Sequence, residues 1–125
     1  MKIAALIARI LLGLVFVIFG LNGFLNFLKG PLPPGLAGQF ISALLQSHYV
    51  FFVSGVQLIS GVLFLVNRYV PLALVLSAAE IANILVFHIL MAPSEIFMAF
   101  VVAILWVIVF VQQRQFLACL FVQRT

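Results

Sequence analysis

Four long apolar runs, separated by short polar or proline-rich breaks, set the pattern of this chain. They cover Ile3–Leu28, Tyr49–Val66, Pro71–Met91 and Glu95–Val111. A helix that crosses a bilayer needs about 20 mostly apolar residues, and each run comes close to or exceeds that length. The breaks are clear in the sequence. "KGPLPPGLAG" holds three prolines and three glycines, which a helix interior does not tolerate. "NRYVP" reads as a turn, with Pro71 placed for the first turn of the next helix. "APSE" ends the third run and offers Ser94 as an N-cap for the fourth.

Between the first two runs, "GLAGQFISALLQSHY" is too short to span. Leu36, Phe40, Ile41, Leu44 and Leu45 recur at helical spacing, with Gln39, Ser42 and Gln46 opposite. The pattern predicts a short amphipathic helix lying along a membrane surface or capping the bundle, as a cover or as a gate over a lateral opening. The expected fold is therefore all-α and membrane-embedded: a single domain over residues 1–125, a four-transmembrane-helix bundle with a short interfacial helix between helices 1 and 2.

Composition strengthens this reading. The 125 residues are 67% hydrophobic and 6% charged, whereas a soluble domain needs roughly a quarter of its residues charged to cover its surface. The mean hydropathy is +1.42. The outer surface should therefore face lipid, and the lipid bilayer is the first expected partner. A net charge of +4 raises the question of nucleic acid, but the basic residues are scattered singly and form no patch. The N-terminal run begins after Lys2 in the manner of a signal peptide. It is, however, too long for a typical apolar core of 7–15 residues and lacks a clear cleavage site, so it reads as a retained span.

Charge placement also predicts orientation. With the N-terminus in the cytoplasm, Lys2, Arg9, Arg68, Arg114 and Arg124 fall on or near the inner side and only Lys29 lies outside. The positive-inside rule favours that arrangement, with both termini cytoplasmic, in a membrane of the bacterial inner type. Arg9 lies about a turn and a half inside the boundary, close enough to extend to the interface. The lone Cys119 excludes an intramolecular disulfide, a CxxC pair and a cysteine-rich metal site.

Against this background the polar residues within the runs stand out, because an ionisable group at mid-membrane costs about 2.5–3.5 kcal/mol on insertion scales. At about 100° per residue, Ser77, Glu80, Asn83, Ile84, Phe87 and His88 share one arc of roughly 140° on the third run. Ser54, Gln57 and Gly61 share a stripe on the second run, and Asn22 and Asn26 one on the first. Turning the stripes inward makes a polar patch inside an apolar bundle. The fourth run has no comparable stripe.

Asn22, Asn26, Gln57, Glu80, Asn83 and His88 are thus the candidate site residues. The patch admits a purely structural reading, with Glu80 protonated or bonded to Gln57 and Asn83 bridging to Asn22, which fixes helix register. It also admits proton-handling groups beside a bound headgroup such as a quinone, or a step in a proton or ion path. No catalytic residue stands out. A metal site or a haem held by His48 and His88 has little support, since no HxxxH or ExxH spacing lies on one face. A proton-coupled transporter has less, because no inverted repeat is evident in this length and a homo-oligomer would be needed. Gly13 and Gly20, seven apart on one face, and Gly61 mark places where helix backbones come close.

Two stretches resemble a known family. "ARILLGLVFVIFGLNGFLNF" is similar to the opening of the DoxX family of small four-helix membrane proteins, and "SGVQLISGVLFLVNRYVPLALVLSAAEIANILVFH" resembles its second and third helices. The resemblance covers roughly residues 8–90, with Arg9, Gly13, Phe16, Gly20, Gly61, Arg68 and His88 on the family's pattern. Gln57 departs from it, standing where the family carries a glutamate, while Glu80 offers an acid at the same depth from the neighbouring helix. The namesakes are membrane partners of oxidoreductases, and the related DoxD proteins belong to a thiosulfate:quinone oxidoreductase. The resemblance therefore implies an accessory subunit of a membrane redox or respiratory-type complex, with other subunits as partners, quinone as a possible cofactor and no catalysis by this chain alone. The competing expectation is a structural or assembly protein whose polar patch only fixes packing.

Overall fold

The computed structural model describes residues 2–25, 34–91, 93 and 96–121, and every element among them is helical. In chain order these are α1 (Lys2–Leu25), α2 (Gly35–Gln46), α3 (Tyr49–Val66), α4 (Val70–Leu90), α5 (Ile96–Gln112) and α6 (Arg114–Leu117), followed by a 3-10 turn at Ala118–Phe121. By length and composition α1, α3 and α4 can each cross a membrane. There are up to four such spans if α5 and the segment Arg114–Leu120, bent away from it by 85°, are taken together. Large apolar side chains face outward along all of these helices, including Ile7, Ile59, Leu72 and Ile104. Such a surface suits a hydrocarbon surround and would be unfavourable in water.

The four long helices form a ring in which α1 packs on α3 and α5, and α4 on the same two. The α1–α3 seam is the tightest, and glycine makes it possible. A Cβ on Gly61 would stand 2.8 Å from the Val17 nitrogen and 2.9 Å from the Gly13 oxygen, and one on Gly20 would stand 2.9 Å from the Leu58 nitrogen. A Cβ on Gly23 would overlap the Ser54 hydroxyl. Only residues without a side chain let the two backbones approach this closely. The pairs 13–61, 20–58 and 23–54 run in opposite senses, so α1 and α3 are antiparallel. The segment containing α2 therefore returns to the end of the bundle it started from, as expected of a helix that does not span.

Polar bonds close the end of the bundle opposite α2. The Arg9 guanidinium donates to the Phe64 carbonyl in the last turn of α3. That carbonyl belongs to the final four of the helix, which have no partner within it, and it lies at the negative end of the helix dipole. The expected extension of Arg9 to the interface is thus replaced by a cap on a neighbouring helix. Asn67 then leaves α3 in the left-handed conformation (φ 57°), and the Arg68 amide returns to the Leu63 oxygen at 3.2 Å. Tyr69 is also left-handed (φ 54°), and α4 begins with Pro71 in its first turn.

The core lies toward this closed end. Leu12, Phe16, Phe64, Leu74 and Val109 are fully buried, and Phe16 meets Phe64 edge to face at 6.4 Å. Trp106 on α5 donates its indole N–H to the Leu74 oxygen and the Ser77 hydroxyl, both at 3.1 Å. Ser77 in turn donates to Leu74 at 3.2 Å. Ser77 thus faces α5 and takes no part in the polar patch around Glu80, and the fourth apolar run, which has no polar stripe, contributes a polar contact through its single indole.

Candidate functional site

Toward the α2 end the bundle opens. α1 lines this region from Val15 to Gly23, α3 from Tyr49 to Gln57, α4 from Val75 to His88 and α5 from Phe97 to Val102, around a cavity of about 1290 Å³. α2 contributes Phe40, Ile41 and Leu44. Phe40 stacks at a tilt on Phe87, with ring centroids 5.4 Å apart, tying α2 to α4 across the cavity. The amphipathic pattern of α2 is expressed as read for these three residues, which line the cavity, with Phe40 still exposed in part. Leu36 and Leu45 lie exposed, and Ala37 and Gly38 make the close contact. On the polar side Gln46 donates to Ser42 at 3.1 Å.

Five of the six candidate residues line this one cavity: Asn22, Gln57, Glu80, Asn83 and His88. Asn26 lies outside the described residues, as do Lys29, Ser94, Glu95 and Arg124. The wall is otherwise largely apolar, with aromatic faces from Phe19, Phe52, Phe87 and Phe97, and no described Lys or Arg reaches it. Glu80 is the single described acid on the wall, midway along α4, where apolar side chains surround its stem.

The bonds within the patch differ from the purely structural expectation. Both carboxyl oxygens of Glu80 are buried and have no hydrogen-bond partner among the described residues, so the Glu80–Gln57 bond is not formed. The Asn83 amide nitrogen donates to the Ala79 oxygen of its own helix at 2.9 Å, and the residue is exposed. His88 Nδ1 bonds to the Ile84 oxygen, also on its own helix, at 2.8 Å. A carbonyl only accepts, so Nδ1 carries the proton in this bond. An unpaired buried carboxyl costs on the order of 1–3 kcal/mol, so the fold maintains Glu80 at a price in stability.

Sequence reasoning placed the polar stripes and the apolar face of α2 but missed the lining from α5. The inward face of α2 could be read from its spacing. The Phe97 and Met98 contributions could not, because α5 is apolar all round and its rotation carries no signature. His48 stacks on Phe51 at 5.7 Å and does not line the cavity, so it does not converge with His88. Among the described residues no three of His, Cys, Asp and Glu come together as metal ligands. Comparison with known proteins finds no matching family model, no matching curated protein and no matching solved structure.

Proposed function

We propose that this chain is an integral membrane protein that holds the polar end of an amphiphile of the quinone class in the cavity beneath α2, as an accessory subunit of a membrane redox complex. In this reading the four long helices span a bacterial inner membrane, both termini are cytoplasmic and α2 lies on the outer face. The observation that carries the proposal is the convergence of Asn22, Gln57, Glu80, Asn83 and His88 on one mostly apolar cavity, with the Glu80 carboxyl buried and without a hydrogen-bond partner among the described residues. Such a lining suits a ligand with a long apolar body and a small polar head. The residues fit a quinone-class ring: flat aromatic side chains for its faces, and amide, imidazole and carboxyl groups for its oxygens. A bound quinone would supply the electron-carrying chemistry, while the chain positions the ring and excludes water. The resemblance of residues 8–90 to DoxX proteins points the same way.

The competing reading, an assembly protein whose patch only fixes packing, is less well supported by the bonds. Asn83 and His88 bond to their own helix, and Glu80 has no partner among the described residues. Gentle extraction of the native protein, followed by mass spectrometry and lipid extraction, separates the two readings. Co-purifying redox subunits together with quinone are expected. A protein that runs alone and carries no quinone rules the proposal out. Glu80→Gln should leave bundle stability close to that of the parent and weaken redox coupling, whereas unfolding without a redox defect would favour the packing role.

A further inference from the structure

The cavity reaches beyond the space enclosed by the four long helices. Ser54 and Gly61 mark the face of α3 that meets α1. At about 100° per residue, Phe52 and Val56 lie roughly 140–180° round the helix from that pair, on the side away from α1. Ser77 marks the face of α4 that meets α5, through Trp106. By the same measure Val75, Ala79 and Val86 lie roughly 160–180° from Ser77, on the side away from α5. All five nevertheless line the same cavity as Glu80. Since α3 and α4 are neighbours in the ring, the two sets meet between them, and the cavity continues into that gap. Phe52, Val75, Ala79 and Val86 are also exposed, so the gap is open on its outer side. The seam between α1 and α5 differs: beyond the first turn of α5 it is closed, with Val15 half-buried and Ala99 and Val102 buried. Phe40 on Phe87 bounds the gap at the α2 end, and the turn through Asn67 and Tyr69 joins the two helices at the other.

We propose that the gap between α3 and α4 is a tail subsite, through which one apolar chain of an amphiphile passes from the cavity into the surrounding lipid. This rests on the reading given under Proposed function and adds the side by which the ligand enters. The five residues that line the gap are all apolar and suit a hydrocarbon chain, whereas the polar side chains gather deeper in the cavity. From Val75 to Val86 the opening extends about 16 Å along α4, at 1.5 Å of rise per residue. It stands wholly within a helix long and apolar enough to cross a membrane, so it meets hydrocarbon and not water. A ligand dissolved in the bilayer then reaches the polar patch without leaving lipid: its head moves inward and its tail stays in the gap. Ala79, the smallest of the five, stands between Val75 and Val86 and leaves room where a larger side chain would fill the opening.

The test uses a decyl-tailed benzoquinone that carries a photoreactive diazirine midway along its tail. It is irradiated with the purified 125-residue chain in lipid nanodiscs, and the labelled positions are read by mass spectrometry. Labels are expected on Phe52, Val56, Val75, Ala79 and Val86, and an excess of the untagged quinone should remove most of them. Ala79→Trp should lower the same labels by about fivefold. The map on the unmodified protein decides the matter even if that variant does not fold. Displaceable labels on α1 and α5, or on α2, in place of α3 and α4 overturn the tail subsite and leave the quinone-class reading standing. Undiminished labels on a folded Ala79→Trp protein overturn the subsite as well. If the untagged quinone displaces no label anywhere, both the inference and the reading beneath it fail.

Discussion

The two ends of this bundle are built differently from the same four helices. At the end away from α2, backbones touch across Gly13 and Gly61, Arg9 caps α3, Trp106 ties α5 to α4, and Leu12, Phe64 and Leu74 fill the space between. At the α2 end the same helices surround about 1290 Å³ and line it with the chain's polar side chains. For helices surrounded by lipid, hydrophobic burial gives little drive to associate, and close packing with a few hydrogen bonds then holds a bundle together. The packed end meets that need, which leaves the other end able to keep a costly carboxyl without a partner among the described residues. One end carries the stability and the other has the features of a binding site.

The comparison can be broken first at the glycine seam. Gly61→Ala puts a methyl group 2.8–2.9 Å from the backbone atoms Val17 N and Gly13 O, which have no rotamer to relieve the clash. A loss of about 3 kcal/mol is expected, at the upper end of the usual cost of overpacking, read as a lower thermal midpoint by circular dichroism in detergent. Next in size is Arg9→Met, which leaves the Phe64 carbonyl without its charged donor. It should cost about 1.5–3 kcal/mol, with Lys at position 9 restoring part of the loss. Trp106→Phe removes the donor shared by Leu74 and Ser77 and should cost about 1–2 kcal/mol, again by circular dichroism, because the only tryptophan is gone.

At the other end the sign reverses. Glu80→Leu replaces a buried carboxyl that has no partner among the described residues by an apolar side chain and should raise stability by about 1 kcal/mol while ligand binding is lost. A destabilised Glu80→Leu protein would show that the polar patch holds the helices together, and the contrast between the ends would fail. The smallest effect is at Gly55, where a Cβ meets nothing closer than Phe24 at 3.9 Å. Gly55→Ala should therefore gain the helix propensity that glycine lacks, up to about 1 kcal/mol, in contrast to the loss at Gly61 on the same helix.

Much of the fold could be read from local pattern. The second apolar run, Tyr49–Val66, coincides with α3; the start of the first run, both ends of the third and the end of the fourth each fall one residue from a helix end, while Leu28 and Glu95 lie outside the described residues. These boundaries are set by prolines, glycines and polar turns that act within a few residues, so sequence alone suffices. The inward arc of α4 was legible for Glu80 and His88 because period and polarity agreed there. It misassigned Ser77, which turns to Trp106, because a one-residue step along a helix swings a side chain by about 100° and the partner helix decides which contact is made. The Arg9 cap was hidden for a similar reason: its acceptor is a backbone carbonyl, which every residue has and no composition reveals. The cavity depends on the separation of helices at one end, a property of four chains of contacts at once and of no single segment.

The bond between Arg9 and Phe64 also bears on how the protein is made. The donor and its acceptor lie 55 residues apart in the chain. A ribosome that has just released the first span has not yet synthesised the carbonyl that will receive its guanidinium. The guanidinium finds this acceptor only after α3 has been completed and has turned back alongside α1. The latch between the first two long helices needs no residue of α4 or α5, so its register can be set by α1 and α3 alone.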